Sequence, residues 1–304
     1  MLDLKVIVKN ALNAGFAIPA FNVPYLPMLE PVVRAVVDLN SFALIETARL
    51  EWVKFKAGGP EAVANEFFRW QNLEHVRLHL DHVPVVDEDD QKVDYLTIIR
   101  QAINLGYHSV MVDGSALILN ENINASRQAV ELAHKAGIPC EAELGRVFGH
   151  RSTPPPSYDE LFASGNGFTK LNEAKQFVDE TGCDWLSVAI GNIHGAITGG
   201  YKDLKKINAQ LDLDHLDKLF QVTGVPLVLH GGSSIPREYV LASFKKGIAK
   251  INIGTEIRQT YEVALKDSGK ISTAQDAVYA RTRWMIDEYF CLSNSQPVVT
   301  REVL

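Results

Sequence analysis

Three histidines stand at the ends of three apolar runs, and they define the chemistry to look for. Pro226-Leu-Val-Leu-His-Gly-Gly-Ser233 delivers His230 next to bare backbone. Val76-Arg-Leu-His-Leu-Asp-His82 ends on an Asp81-His82 pair, and Trp185-Leu-Ser-Val-Ala-Ile-Gly-Asn-Ile-His-Gly195 ends on His194-Gly195. Three imidazoles with an open fourth position are a typical catalytic zinc shell. Asp113 and Glu143 also close apolar runs. They suit either a second cation, divalent or monovalent, or hydrogen bonds that orient the histidines. Gly231-Gly232-Ser233 and Asn252-Ile253-Gly254-Thr255 offer backbone amides and hydroxyls that can form an anion-binding nest, which beside a metal favours phosphate.

These residues need a scaffold that brings strand ends together. Helical patterns stop at Gly15, Gly106, Gly137, Gly182, Gly224 and Gly247, and a short apolar run begins within a few residues of each. Glycine takes the left-handed conformation after a helix without steric cost, so each mark reads as a helix stop followed by a strand. Between them Met28, Leu29, Val32, Val33, Val36 and Val37 fall at helical spacing, as do Leu96, Ile99, Ala102 and Ile103. With 41–46 and 76–80 added, apolar runs alternate with helices along the chain. Such alternation implies parallel strands, and eight units over ~250 residues fit a (β/α)8 TIM barrel. The expectation is one α/β domain over 1–304, with a helical extension from about 272. A helix around Ala277 to Phe290 is expected to cover the barrel or form an interface, and the tail after Ser293 to be irregular.

The chain has 304 residues, 46% hydrophobic and 22% charged, with net charge −7. That balance disfavours a nonspecific nucleic-acid partner. Cys140, Cys183 and Cys291 show no CxxC spacing, which points to a reducing compartment. The first residues lack a signal-peptide pattern, and no apolar stretch reaches the roughly 18 residues of a membrane span. A cytoplasmic protein without a membrane partner is expected.

Seven segments, in order, resemble the motifs of the zinc-dependent class II ketose-bisphosphate aldolases. They are Ala20-Phe-Asn-Val23, His79-Leu-Asp-His82, Ser109-Val-Met-Val-Asp-Gly-Ser115, Glu141-Ala-Glu-Leu-Gly145, Gly191-Asn-Ile-His-Gly195, Leu229-His-Gly-Gly-Ser233 and Lys250-Ile-Asn-Ile-Gly-Thr-Glu256. The resemblance implies that His82, His194 and His230 hold Zn2+, and that Asp81 handles the proton on the aldehyde-derived oxygen. It implies that Gly195, Gly231 to Ser233 and Asn252 to Thr255 contact the phosphate of a dihydroxyacetone-phosphate half. Asp113 and Glu143 match positions used by a second metal in part of the family. The implied reaction is retro-aldol cleavage of a phosphorylated ketose, fructose-bisphosphate-like, and the implied assembly is a homodimer or homotetramer.

The sequence departs from the family pattern where the second half of the substrate binds. The loop Arg146-Val-Phe-Gly-His-Arg-Ser-Thr-Pro-Pro-Pro156 lacks the usual Gly-Gly and acidic residues. His150, Asp159 and Glu160 are candidates to move the second proton. Ser234 replaces a glycine, Val83 follows the Asp-His pair, and the usual lysine spacing after His194 shifts to Lys202. Asn22, Thr47, Arg49, Arg151 and Lys202 are the candidate selectivity residues. Guanidinium reads carboxylate, sulfonate or phosphate in bidentate fashion, so Arg49 and Arg151 raise a nonstandard or acidic sugar as an alternative substrate. A sugar-phosphate-binding relative without catalysis is a third expectation.

Overall fold

A computed structural model describes residues 2–145, 158–192, 209–232 and 235–302. Eight parallel strands close into a barrel in sequence order. They are β1 (Ile18–Asn22), β2 (Ala43–Ala48), β3 (Val76–Pro84), β4 (Ser109–Asp113), β5 (Cys140–Leu144), β6 (Trp185–Val188), β7 (Leu227–Leu229) and β8 (Ile248–Ile253). Pairing of β1 with both β2 and β8 completes the closure. All six expected helix-stop glycines have positive φ, between 67° and 106°.

Side chains alternate between the two faces of a strand, so every second residue points into the barrel. That rule stacks the interior into layers along the strand direction. An apolar layer of Ile18, Ala20, Leu44, Trp185 and Val228 packs on Leu4, Ile7, Val8 and Ala11 of the helix Leu4–Ala14, which closes the N-terminal end. Beside this layer lie Glu46, His79, Glu141 and Lys250, all fully buried. Asp81, Glu143 and Asn252 follow at the C-terminal mouth. The outward residues, such as Leu78, Leu80, Ala142, Leu144 and Ile251, pack against the helices as the main core.

Strand β3 departs from this alternation. Its register with β4 shifts between Leu80 and Val83, and His82 takes φ +34°. A bulge of this kind re-aims a side chain. Here it lets the consecutive residues Asp81 and His82 both serve the mouth, at a backbone strain of order 1–3 kcal/mol.

The C-terminal region differs in part from expectation. A helix runs over Ile271–Trp284 and continues as a π-helical turn, Met285–Tyr289, whose Met285 and Ile286 join the core together with Phe290. The segment after Ser293 is not irregular throughout. Gln296–Val299 is a short helix, and Val299 is fully buried against the Leu4–Ala14 helix. Asn10 Nδ2 anchors it by donating to the carbonyls of Val299 (2.9 Å) and Arg301 (3.0 Å). The Asn294 and Gln296 N–H groups donate to the carbonyls of Leu39 and Asn40, and Ser295 Oγ meets Ser41 Oγ at 2.9 Å, so the segment is tied down despite its polar composition.

Candidate active site

The mouth gathers the ionisable side chains that the strand ends deliver. Asp81 is 2% exposed, and both its oxygens are held. Asn22 Nδ2, at the end of β1, donates to Oδ2 at 3.0 Å, and Asn252 Nδ2 of β8 donates to Oδ1 at 2.9 Å. Burial pushes the Asp81 carboxyl up, but the positive charges of His82 and then Lys250 outweigh it and hold the group well below the usual range. Asp81 is therefore held in its ionised form.

His82 and His230 face one another across the mouth. His82 Nε2 and His230 Nδ1 lie 2.6 Å apart with the rings perpendicular. Each ring is fixed from behind. His230 Nε2 donates to Glu141 Oε1 at 2.8 Å, while His82 Nδ1 points to Asp113 Oδ2 at 3.4 Å and lies 3.9 Å from Glu143 Oε2. Asn192 Nδ2 donates to the His230 carbonyl at 3.0 Å, which pins the strand end as well as the ring. Burial drives both imidazoles toward the neutral form. For His230 burial prevails, whereas for His82 the charge of Asp81, the Asp113 hydrogen bond and the charge of Glu143 overcome it.

Two acidic groups complete the cluster. Asp113 is held down to about 2, burial being outweighed by the His82 hydrogen bond and charge and by hydrogen bonds from Ser115. Ser115 donates to it from its hydroxyl (2.6 Å) and its N–H (2.9 Å). Glu143 is pushed up to about 8 by burial and then by the Asp113 charge. Ser187 Oγ donates to it at 3.2 Å.

This donor set fits a divalent cation. Ligand atoms of Asp81, His82 and His230 lie within 4.8 Å of one another, as do those of His82, Asp113 and Glu143. Carboxylates converging on buried imidazoles leave a surplus of negative charge that a cation neutralises. Within that set His82 and His230 present ring nitrogens backed by acidic partners, the usual support for a metal-ligating histidine. Both Asp81 oxygens are already engaged by amides, which suits a proton carrier better than a ligand.

The glycine segments border this cluster. Gly231 has φ +72°. A Cβ on Gly232 would lie 2.8 Å from Ile251 Cδ1 and 3.3 Å from the Asn252 carbonyl, so a side chain there requires Ile251 to shift. Ile253 ends β8, Gly254 caps the helix Thr255–Ser268, and Thr255 opens it. The first-turn N–H groups of a helix attract anions, and this helix starts directly beyond the mouth.

The other expected residues sort as follows. His194, Gly195, Ser233, Arg151 and Lys202 lie outside the described residues, as do His150 and Ser234. Asp159 and Glu160 are exposed in the first turn of the helix Tyr158–Ser164. Thr47 is fully buried in β2. Arg49 opens the helix Arg49–Lys54 and sits 3.3 Å from Asp87 Oδ2, so its charge already has a partner. Asn22 braces Asp81.

Sequence reasoning assigned no role to the charged layer beneath the site. Lys250 Nζ lies 2.9 Å from Glu141 Oε2 and 3.3 Å from Glu46 Oε2, and it donates to Asn252 Oδ1 at 2.6 Å. His79 Nδ1 meets Ser109 Oγ at 2.7 Å, and burial lowers its pKa to about 3, so it is neutral. The available signal was the period of two. His79, Glu141 and Lys250 each stand two residues before an expected site residue and so share its face.

Comparison with known proteins agrees with this geometry. The family model for fructose-bisphosphate aldolase class-II matches residues 2–293. A fructose-bisphosphate aldolase of Streptococcus pneumoniae is 33% identical over 287 residues, covering 93% of this chain and 88% of its own. The YdjI protein of Escherichia coli K12 is 34% identical over 271 residues, covering 88% and 87%. The crystal structure of the YdjI aldolase superimposes with a TM-score of 0.76 at 28% identity, covering 97% of this chain and 99% of that one. The fructose-bisphosphate aldolase of Campylobacter jejuni, at 18% identity and a TM-score of 0.72, shares the fold. With the family model spanning the whole barrel, the chain is an aldolase, a carbon–carbon lyase, and belongs to the class II fructose-bisphosphate aldolase family.

Proposed function

We propose that the chain cleaves a phosphorylated ketose reversibly into dihydroxyacetone phosphate and an aldehyde, using Zn2+ held by His82, His194 and His230. The observation that carries this reading is Asp81: an ionised carboxylate, braced by Asn22 and Asn252, directly beside two imidazoles that face one another. A bound divalent cation would supply Lewis-acid polarisation of the substrate ketone and balance negative charge on its oxygens.

The protein's own groups then divide the work. Asp81 accepts the proton of the hydroxyl that becomes the aldehyde. The carbon–carbon bond next to the ketone breaks, its electron pair moves toward the ketone oxygen, and the dihydroxyacetone-phosphate half is left as an enediolate. A second proton, delivered to carbon, completes that product. His150, Asp159 and Glu160 remain the candidate donors. Gly195, Gly231 to Ser233 and Asn252 to Thr255 hold the phosphate, supported by the Gly232 close approach and the helix start at Thr255. Asp113 and Glu143 orient His82 or take a second cation. Lys202 and Arg151 are assigned to the aldehyde side, where selectivity is set.

An acidic or otherwise nonstandard sugar is the second reading. The Asp87 carboxylate against Arg49 weighs against Arg49 as its receptor, because that charge is already paired. The assay incubates protein and zinc with dihydroxyacetone phosphate and a panel of neutral, phosphorylated and acidic aldehydes, with and without chelator. Turnover that survives the chelator removes the metal reading, and the preferred aldehyde decides the substrate. A cytoplasmic homodimer or homotetramer is proposed for the assembly, and light scattering coupled to size exclusion measures its mass. No helix among the described residues is long and apolar enough to cross a membrane.

A further inference from the structure

Lys250 is the most unusual residue that the proposed reaction leaves unused. It is fully buried inside the barrel, below the mouth, with Glu46 and Glu141 as its charged partners. A lone buried ammonium is costly unless it is paired and hydrogen-bonded. Burial would pull its pKa down, but the charges of Glu141, Glu46 and Asp81 hold it above the ordinary lysine value. A protonated amine is no nucleophile, so Lys250 is not a Schiff-base lysine. Its contacts lead elsewhere.

Two short chains of side chains leave this one ammonium. The first runs Lys250 Nζ to Asn252 Oδ1 (2.6 Å), then Asn252 Nδ2 to Asp81 Oδ1 (2.9 Å). Lysine only donates and an ionised carboxylate only accepts, so the Asn252 amide has one orientation that satisfies both ends. The second runs Lys250 Nζ to Glu141 Oε2 (2.9 Å), then Glu141 Oε1 to His230 Nε2 (2.8 Å). The bidentate carboxylate fixes the His230 ring and leaves Nδ1 facing His82.

We propose that Lys250 is a positioning residue that couples the two halves of the site, aiming Asp81 through Asn252 and His230 through Glu141. The inference rests on the reading of His230 as a metal ligand and Asp81 as the proton carrier. One cation thereby sets both the proton acceptor and a metal-facing imidazole, so the two arms share a common origin.

The test compares wild type, Glu141→Gln, Lys250→Met and the double variant Lys250→Met/Glu141→Gln. Zinc affinity is read by chelator competition. Turnover is read as condensation of dihydroxyacetone phosphate with the panel aldehyde that the wild type accepts fastest, at saturating zinc. Glu141→Gln should weaken zinc about 10- to 100-fold, the usual effect of losing a partner behind a metal ligand. Lys250→Met should weaken zinc similarly and also lower kcat by about 100-fold with little change in KM, the scale of a small misplacement of a reacting group. The double variant is decisive. If Lys250 acts on zinc only through Glu141, it binds zinc no more weakly than Glu141→Gln alone, yet its kcat is about 100-fold below that variant. A merely structural lysine would add a further loss of zinc affinity in the double variant. That result, or a double variant whose kcat equals that of Glu141→Gln, overturns the inference. The double variant also removes the nearer of the two buried carboxylates that Lys250→Met alone leaves unbalanced, so it decides the matter should the single variant fail to fold. A wild-type chain that takes up no zinc refutes the metal reading and this inference together. Zinc-dependent turnover in the wild type with unaltered variants refutes this inference alone.

Discussion

Replacing Asp81 by alanine is the sharpest test of the proposed mechanism. The carboxylate accepts hydrogen bonds from two amides, at 3.0 Å from Asn22 and 2.9 Å from Asn252. The variant leaves both donors buried without that acceptor, at about 1–3 kcal/mol each. Against a typical stability of roughly 5–15 kcal/mol the protein should still fold, with a lowered Tm. Positioned general acid–base groups contribute typically 10²–10⁴-fold, so kcat for cleavage should fall by about that factor, or about 3–5 kcal/mol in the barrier. Zinc content should stay at the wild-type level, because both Asp81 oxygens are already engaged. A second assay isolates the step. Dihydroxyacetone phosphate in D2O exchanges a carbon-bound proton on forming the enediolate, and that step needs no aldehyde. Asp81→Ala should retain this exchange while losing cleavage. Loss of both to the same degree, loss of zinc by elemental analysis, or cleavage within about tenfold of wild type would refute the assigned role.

Chelation should abolish turnover, and readded divalent cation should restore it, followed by the same condensation assay. Asp113→Asn keeps the size of the side chain behind His82 but removes its charge, so zinc affinity should fall about 10-fold or more in chelator competition. Gly232→Ala forces a Cβ to within 2.8 Å of Ile251 Cδ1. Displacement of the glycine segment should raise KM for the phosphorylated substrate by an amount worth about 1–3 kcal/mol, with zinc content unchanged. Glu51, whose carboxylate accepts from the Ala48 N–H at 2.9 Å, is pushed up to about 8 by burial. A raised folded pKa means the folded state binds the extra proton between the ordinary glutamate value and 8. Stability is then fully present below that window and declines as pH rises through it. Glu51→Gln should flatten this slope in Tm measured from pH 5 to pH 8.5.

Much of the scaffold was legible because its signals are local. A glycine that must take positive φ after a helix is visible in one or two residues, and all six such marks head a barrel strand. Asp81, His82 and His230 were legible because polar residues that end apolar strands face the mouth of a barrel. The charged layer was not. The period of two puts Lys250 on the face of Asn252, but only the closed barrel places Glu141 and Glu46 across from it. That juxtaposition joins β8 to β5 and β2, and no window of one strand contains it. The role of Asn22 was hidden for the same reason, since its partner Asp81 lies 59 positions away. The bulge in β3 also left no local mark, because His82 holds φ +34° without being a glycine.

That bulge has a consequence for metal choice. Because Asp81 and His82 are joined by a peptide bond, the proposed proton acceptor and the proposed metal ligand share one short stretch of β3 and would move together. Were the proposed zinc exchanged for cobalt or manganese, β3 would carry the aspartate along with the histidine that adjusts to the new ion. Activity across such ions should therefore track their Lewis acidity rather than their radius.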